Sequence, residues 1–505
     1  MTAEDIKQSI LKGERLKLEA KKAGTDIPKS IWETYSAFAN TVGGTILLGV
    51  YENTKEKDAS KRFEIQGVAD ARKIISDFWN VINSNKVSAN ILVDDNVEAV
   101  EVDGKEIVCI HVPQANWRDR PIYINDNVFK GSYKRNHEGD YHCTAEEVKA
   151  MIRDANENGN DGILLEGYTM DDIDRDTLTL YRNNFRQNNP DHVWNDVDDK
   201  EFLRNLGGYA FDRKSKTEGL TLAGLMMFGK GLPIRERFAN FRMDYLDMSN
   251  LTGEERYSDR LTYDGRWENN LYQFYRSIIN KLTAALPRPF QMQGIVRVDD
   301  TMQHKAVREA FTNAIIHSDL LLPSGILRIE KHDDRLVFRN PGTLKLPIEE
   351  IYRGGSSKAR NPKIQDMLRM IGLGENIGSG FPMIVKAWKD AGWKEPLLED
   401  KLELEEVVLT LYLPSSEELA KGLSNGLSNG LSNRLSKELL NKLTEVDIAI
   451  VNAIYKDAKI SLDKLSESTG VSRTSIQKHL KKLKGLDVIK REGSPRGGCW
   501  KVVTE

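Results

Sequence analysis

Cysteine is scarce in this chain, and its scarcity limits the compartments and folds that fit the sequence. Three cysteines occur in 505 residues, and Cys109, Cys143 and Cys499 are scattered without any Cys-x-x-Cys pair. This pattern argues against a disulfide scaffold and favours a reducing compartment. The sequence therefore predicts a cytoplasmic protein, most simply from a bacterium or an archaeon.

Long apolar runs and P-loops are also missing. Residues 1–9 contain no apolar signal core, and no apolar run approaches the length that spans a membrane. No Gly-x-x-x-x-Gly-Lys-Ser/Thr occurs anywhere, which excludes a P-loop as a source of ATP chemistry. We expect no membrane partner.

Charge of neither sign is in large excess. The net charge is −3, with 30% charged and 39% hydrophobic residues, which is ordinary for a globular protein. A chain of this length is too long for one core and suggests three or four domains of about 100–200 residues each. We predict an α+β multidomain protein with segments 1–155, 156–299, 300–415, 416–440 and 441–505.

Polar side chains line one face of a predicted apolar helix at residues 305–317. Glu309, Asn313 and His317 are four residues apart and therefore share that face. Burying them is costly unless a polar ligand binds there. The alternative is an amphipathic helix whose three polar residues are solvated.

A predicted strand and a glycine-rich loop follow this helix. Residues 335–342 read as a strand that runs into a Pro-Gly turn, and four glycines then precede a helical stretch at 382–388. Such glycines let the backbone approach a phosphate, and the next helix offers free N–H groups at its N-terminus. The glycines are Gly372, Gly374, Gly378 and Gly380.

In this order, the three features of residues 300–415 resemble the ATP-binding domain of the GHKL superfamily. The resemblance is to a divergent branch of transcriptional regulators, often labelled divergent AAA or RecG-related. It implies an α/β sandwich that binds ATP and Mg²⁺, with Glu309 as the general base, Asn313 as a Mg²⁺ ligand and the loop 374–380 closing over the phosphates. Asn340-Pro341-Gly342 stands where the superfamily has Asp-x-Gly-x-Gly, whose Asp reads adenine. The implied cofactor-binding residues are Asn313, His317, Asn340, Gly342, Gly372, Gly374, Gly378 and Gly380.

The N-terminal segment carries a second group of acids. Glu14, Glu19 and Lys21 precede a long string, Ala37-Phe-Ala-Asn-x-x-Gly-Gly44. Over about residues 8–150 this resembles the Schlafen-type AlbA-2 domain, an α/β unit. In the Schlafens that cut RNA, two such acids join a third after the following strand. The resemblance implies that Glu14 and Glu19 bind Mg²⁺ or Mn²⁺ with Glu52 nearby and Lys21 accompanying them.

Carboxylates of this kind suit metal-dependent cleavage of phosphodiesters. The alternative is a nucleic-acid-binding domain that cuts nothing. Lys134 and Arg135 are candidate phosphate contacts, although they also fit a solvated strand edge. A zinc site at His137, His142 and Cys143 is disfavoured because no fourth soft ligand is in view.

The end of the chain changes in composition twice. Gly-Leu-Ser-Asn repeats begin at Gly422 and predict a linker, while leucine at every fourth residue would permit self-association and a homo-oligomer. Residues 441–505 read as three helices opened by Thr444, Ser461 and Ser472, followed by a hairpin, which is typical of a winged helix-turn-helix.

The winged helix is predicted to bind DNA. Thirteen Lys and Arg against eight Asp and Glu give residues 441–505 a net charge of +5, which attracts phosphates. Winged helices also serve as protein contacts. The candidate DNA contacts are Arg473, Ser475, Lys478, Lys481, Lys482 and Arg496.

Two functions fit this organisation. The first is an ATP-responsive, DNA-binding transcriptional regulator. The second is an ATP-gated, metal-dependent nuclease that acts on RNA, such as tRNA, or on DNA in phage defence or stress. They differ in whether the N-terminal domain cuts or only binds.

Overall fold

The fold is described from a computed structural model. It describes residues 2–12, 16–53, 55–56, 62–284, 286, 291–293, 296–298, 301–373, 380–414, 442–492 and 499–503. The chain forms two compact units, and neither is continuous in sequence. The N-terminal unit contains Met1–Asp171, Asp196–Leu225 and Gly342–Met367, and the C-terminal unit contains Asp172–Asn195, Met226–Pro341 and Leu368–Glu505.

The first part of the N-terminal unit alternates helices and strands. Its helices are α1 Ala3–Lys12, α2 Ile31–Asn40, α3 Ala71–Ile82, α4 Val128–Gly131 and α5 Ala145–Asp154. Its strands are β1 Leu18–Lys21, β2 Gly44–Leu48, β3 Val50–Glu52, β4 Phe63–Ile65, β5 Val97–Val102, β6 Lys105–Val112, β7 Tyr133–Asn136 and β8 Gly139–His142, with a 3-10 turn at Asp94–Asn96.

The central sheet of this part has the order β1-β2-β6-β5, with β1 and β2 parallel and the other pairs antiparallel. Side chains alternate between its faces, so that Ile46 packs with α2 and α3 while Leu47 packs with α1. The sequence pattern therefore places a hydrophobic core on each side of the sheet.

The sequence pattern also predicts strands at residues 89–93 and 128–134; the first does not form, and the second forms only at its end, where β7 begins at Tyr133. Residues 89–93 are irregular because Tyr35 takes their backbone bonds: its hydroxyl donates to Ala89 O at 3.1 Å and accepts from Ile91 N at 3.0 Å. Residues 128–134 begin as the short helix α4, because Asn127 caps it through the N–H of Lys130 at 2.9 Å.

The middle of the chain contributes elements to both units. Its helices are α6 Arg175–Asn188, α7 Asp199–Leu206, α8 Leu222–Phe228, α9 Gly231–Arg237 and α10 Leu271–Thr283, with 3-10 turns at Met170–Asp172 and Val193–Asn195. Its strands are β9 Tyr209–Asp212, β10 Thr217–Leu220, β11 Arg242–Asp247, β12 Asp259–Leu261, β13 Gln291–Gln293 and β14 Val296–Val298.

The remaining elements of this region follow in sequence. The helices are α11 Met302–Ile316, α12 Ile348–Arg353, α13 Pro362–Met370 and α14 Gly380–Asp390. The strands are β15 Ile326–Lys331, β16 Arg335–Pro341, β17 Leu397–Lys401 and β18 Glu406–Tyr412, with a 3-10 turn at Leu402–Leu404.

A six-stranded sheet organises the C-terminal unit in the order β12-β11-β15-β16-β18-β17. The β11–β15 pair is parallel and the other pairs are antiparallel. Helix α11 packs against β16 and contacts α10 and α14. Phe311 of α11 stacks on Tyr275 at 4.8 Å and lies 6.4 Å from Phe338, so the apolar side of α11 anchors it to the sheet. This is the predicted α/β sandwich.

The winged helix forms as predicted. Thr444, Ser461 and Ser472 cap α15 Glu445–Lys456, α16 Leu462–Thr469 and α17 Arg473–Gly485. Strands β19 Ile489–Glu492 and β20 Cys499–Val502 pair as an antiparallel hairpin. The repeats predicted as a linker at 416–440 lie outside the described residues. None of the helices in the described ranges combines the length and the apolar composition of a membrane span.

Candidate functional site

The polar stripe of α11 is buried at Glu309 and half-buried at Asn313 and His317. Glu309 is 8% exposed, which excludes a fully solvated stripe. Asn313 Nδ2 donates to Glu309 Oε1 at 3.3 Å, so the two side chains form one polar group on the helix. His317 is the C-cap, where its backbone N–H donates to Asn313 O at 3.0 Å.

This polar group lies against the N-terminus of α14. A Cβ atom added to Gly380, the first residue of α14, would lie 2.2 Å from Glu309 Oε1 and 3.3 Å from Asn313 Nδ2. Only glycine accommodates such an approach without displacing the carboxylate. Because a helix N-terminus carries free N–H groups and partial positive charge, this is a place where an anion is stabilised.

A third polar side chain lies at the end of β16. Asn340 is 6% exposed, and its Nδ2 has no hydrogen-bond partner among the described residues. The N–H of Asp319, just beyond α11, donates to Pro341 O at 2.8 Å and ties the end of the helix to the end of this strand. A buried amide without a partner is costly and fits a site whose ligand completes the hydrogen bond.

The predicted glycines are only partly within the described residues. Gly342 and Gly372 adopt positive φ angles of 97° and 76°, which explains glycine at both positions. Asn189 Nδ2 donates to Met370 O at 2.7 Å and fixes the backbone ahead of the loop. Gly374 and Gly378 lie outside the described residues.

Oxygen atoms at this site suit Mg²⁺. With Asn313 Nδ2 donating to Glu309, the amide Oδ1 is the Asn313 atom left to act as a ligand, and a bound nucleotide and water would supply further oxygens. Clusters of three or more His, Cys, Asp or Glu that could hold a metal by themselves are absent from the described part of the chain.

The N-terminal carboxylates have cationic partners. Glu19 on β1 is 2.8 Å from Lys21 Nζ and 2.8 Å from Arg135 Nη1. Glu52 on β3 is 2.5 Å from Arg62 Nη2. Glu14 lies outside the described residues. Each described acid of the predicted group is thus neutralised by side chains of this chain.

Arg135 lies inside the domain, not on its surface. Its side chain is 1% exposed, and its guanidinium pairs with both Glu19 and Asp140, the latter at 2.9 Å. Burial opposes its charge, but the two carboxylates outweigh burial and raise the pKa of Arg135. Arg135 therefore positions Glu19 and is not available to a polynucleotide phosphate, in contrast to the sequence interpretation. Lys134, its neighbour, pairs with Glu147 near the surface.

A buried acid organises the winged helix, and sequence reasoning missed it. The carboxylate of Asp447 is fully buried and accepts hydrogen bonds from Lys482 Nζ at 2.5 Å and His479 Nδ1 at 2.8 Å. Burial would raise the pKa of Asp447, but the bonds from Lys482, Thr444 and His479 hold it below its ordinary value. The signal in the sequence was the Thr444-x-x-Asp447 capping pattern.

The predicted DNA contacts therefore differ in whether another side chain of the domain already pairs with them. Lys478 and Lys481 are exposed on α17, whereas Lys482 is held by Asp447. Arg473 pairs with Asp463 at 3.0 Å on the surface, and the N–H of Ser475 is bonded to the capping Ser472. Arg496 lies outside the described residues.

Family models match four segments of the chain. The model described as Schlafen, AlbA_2 matches residues 14–144, and a domain of unknown function matches 149–244. The model described as "Putative ATP-dependent DNA helicase recG C-terminal" matches 326–411, and one described as winged helix-turn-helix DNA-binding matches 443–490. The chain thus contains Schlafen AlbA_2, HATPase-like and winged-helix domains in the predicted order.

Two solved structures are similar to parts or all of the chain. The DIP2311 protein from Corynebacterium diphtheriae is 17% identical over 98% of this chain and 96% of that one, with a TM-score of 0.39. The N-terminal domain of a RecG-related protein from Nitrosomonas europaea is 27% identical over 28% of this chain and 94% of that one, with a TM-score of 0.23. No curated protein matches the chain.

Proposed function

We propose that this protein is an ATP-responsive, DNA-binding transcriptional regulator. The observation that carries the nucleotide part is the meeting of Glu309, Asn313 and the N-terminus of α14 at Gly380. A site with a positive helix end, a carboxylate and an amide is suited to a phosphate chain with its metal ion. The HATPase-like match over 326–411 supports ATP as the nucleotide.

Each residue has a distinct proposed role. Asn313 would hold Mg²⁺, which neutralises phosphate charge when bound, and the backbone N–H groups from Gly380 onward would bind phosphate oxygens. Glu309 would orient and deprotonate a water molecule. Asn340 would donate a hydrogen bond from its unpartnered Nδ2 to the nucleobase of the nucleotide. The Asp that the superfamily has at this place could only accept hydrogen bonds there through its carboxylate.

The winged helix supports DNA as the partner. Lys478 and Lys481 lie exposed on α17, the helix that enters the major groove in this class of domain. Pairing of two chains would place two such helices at one operator, and the homo-oligomer stays a prediction.

The ion pairs in the N-terminal domain favour regulation over cleavage. A carboxylate that already bonds two cations, as Glu19 does, must lose one of them before it can hold a metal ion. Glu52 is likewise paired with Arg62. We therefore propose that this domain binds nucleic acid, and RNA as a ligand stays a prediction.

Nucleotide-dependent DNA binding tests the proposal. Anisotropy of labelled random-sequence duplexes would be measured with the full chain, with and without ATP and Mg²⁺. We expect ATP to change DNA affinity by about 5- to 150-fold in the unmodified chain, and Asn313→Ala to abolish that change. Equal DNA affinity with and without saturating ATP would rule out ATP-responsive regulation.

The nuclease is the second candidate, supported by the Schlafen match that begins at Glu14. Incubation with ATP, Mn²⁺ and a panel of tRNA and DNA tests it. Cleavage that is lost when Glu14→Gln and Glu19→Gln are combined would establish the nuclease. Intact substrates, with DNA binding retained in that double variant, are the result that we expect.

A further inference from the structure

Helix α17 of the winged helix has one face in the hydrophobic core and the opposite face exposed to solvent. Its buried side chains recur every three or four residues and are Ile476, Leu480 and Leu483. The buried carboxylate of Asp447 also bonds His479 and Lys482 of this helix. The core and the carboxylate together fix the rotation of α17, so its outer face is held in one orientation.

Two rows of side chains four residues apart form this outer face. One row contains Arg473, Gln477 and Lys481, and the other contains Thr474 and Lys478; all five residues are exposed. Gln477 is the fifth residue of α17 and lies in its second turn, between the ends of its own row. The face is therefore a cationic surface with one amide at its centre.

The amide of Gln477 has no partner within the winged helix. In the described part of the chain, no hydrogen bond joins its Oε1 or Nε2 to another group. Arg473, one turn earlier, differs because it pairs with Asp463 at 3.0 Å. Exposed amides without partners are common on protein surfaces, but this one lies in the N-terminal half of the helix that contacts base edges in this class of domain.

We propose that Gln477 reads an adenine in the major groove and so determines part of the DNA sequence that the protein binds. This role rests on the proposed DNA binding of the winged helix and adds to it the base that is recognised. The amide Oε1 accepts and Nε2 donates, which matches the N6–H donor and the N7 acceptor of adenine. Lys478 and Lys481 attract phosphates, which strengthens binding to every sequence alike.

Selection of DNA sites by the full chain tests this role. Random-sequence duplexes would be bound, recovered and sequenced, with and without ATP and Mg²⁺. We expect a common sequence with an adenine whose preference over other bases falls by about 5- to 150-fold in Gln477→Ala. Because Gln477 is exposed and alanine favours helices, the fold of this variant should survive.

Three further variants make the result specific. Gln477→Glu should change the preferred base at the same position from adenine to cytosine, because a carboxylate accepts from cytosine N4. Lys481→Ala should weaken binding to all duplexes about equally and leave the base preference unchanged. Gln187→Ala removes an exposed amide from α6 and is the matched control, which should change neither affinity nor base preference.

The possible results separate this role from the ATP response. An unchanged adenine preference in Gln477→Ala, retention of adenine in Gln477→Glu, or the absence of a common sequence for the unmodified chain would each overturn the reading of adenine by Gln477. If the base preference depends on Gln477 but recovery of duplexes is equal with and without ATP, Gln477 reads DNA and ATP-responsive regulation is wrong.

Discussion

Glu309 places a negative charge at the N-terminus of α14, where the proposed phosphates would bind. Removal of that charge should strengthen ATP binding, because the carboxylate repels the phosphate chain. For Glu309→Gln we predict tighter ATP·Mg²⁺ binding by about 1 kcal/mol, or about fivefold, measured by calorimetry. Hydrolysis, in which Glu309 would be the base, should fall by about 10²- to 10⁴-fold.

Glu330 offers a matched control in the same sheet. It lies on β15 and pairs with Arg339 at 3.3 Å. Glu330→Gln should leave ATP affinity unchanged. Weaker binding in Glu309→Gln than in the unmodified chain would show that the carboxylate does not face the phosphates.

Arg135 and Lys134 are adjacent basic residues with opposite surroundings. Arg135→Met takes the cation from the largely buried Asp140 and leaves Glu19 with Lys21 alone, so we predict a loss of about 3 kcal/mol. Lys134→Met removes a partly exposed pair with Glu147 and should cost no more than about 1 kcal/mol. Hydrogen exchange in peptides from residues 14–144 measures both local stabilities. Similar costs for the two variants would contradict the burial of Arg135.

At the scale of elements, Asp447 joins α15 to α17 in the winged helix. We predict that Asp447→Asn lowers the local free energy of unfolding by about 2 kcal/mol, because the cap and the bonds to Lys482 and His479 weaken together. The pKa of Asp447 is lowered from its ordinary value of 3.8. The stabilisation is therefore fully present above pH 3.8 and is lost as the pH falls through the lower pKa of the folded state.

The pH dependence distinguishes this carboxylate from others in the winged helix. The difference between Asp447→Asn and the unmodified chain should be constant between about pH 5 and 7 and shrink below about pH 4, by hydrogen exchange of residues 443–492. Asp463→Asn, which removes an exposed pair with Arg473, is the control and should change stability little. If the stability difference between the two chains grew on acidification, folding would raise the pKa of Asp447 and not lower it.

At the scale of the whole molecule, the chain returns to its N-terminal unit after building most of the large sheet. Gly342–Met367 belongs to that unit, and Arg360 within it is 3% exposed and bonds Asp154 and Thr343 O. We predict that Arg360→Met lowers hydrogen-exchange protection around Asp154 by about 3 kcal/mol, because a partly buried carboxylate loses its cation. Exposed Arg353→Met should have no such effect. Unchanged protection near Asp154 would show that the Arg360–Asp154 pair does not stabilise the segment Gly342–Met367.

Much of the secondary structure near the candidate sites followed from the sequence. The capping residues Thr444, Ser461 and Ser472 and the i,i+4 stripe of Glu309 and Asn313 are local patterns, so their helices could be predicted. The strand predicted at residues 89–93 does not form for a non-local reason, because the backbone there bonds the hydroxyl of Tyr35 instead of another strand.

The sequence by itself determined the order of domains and the helix that carries Glu309 and Asn313, because short spacings and strings of residues encode them. Only the tertiary structure decided that Gly380 meets Glu309 and that Arg135 is enclosed with Glu19. Those pairs are distant in sequence, and no local spacing specifies them. The path of the chain brings each pair together, and burial then sets the charge balance on which its chemistry depends.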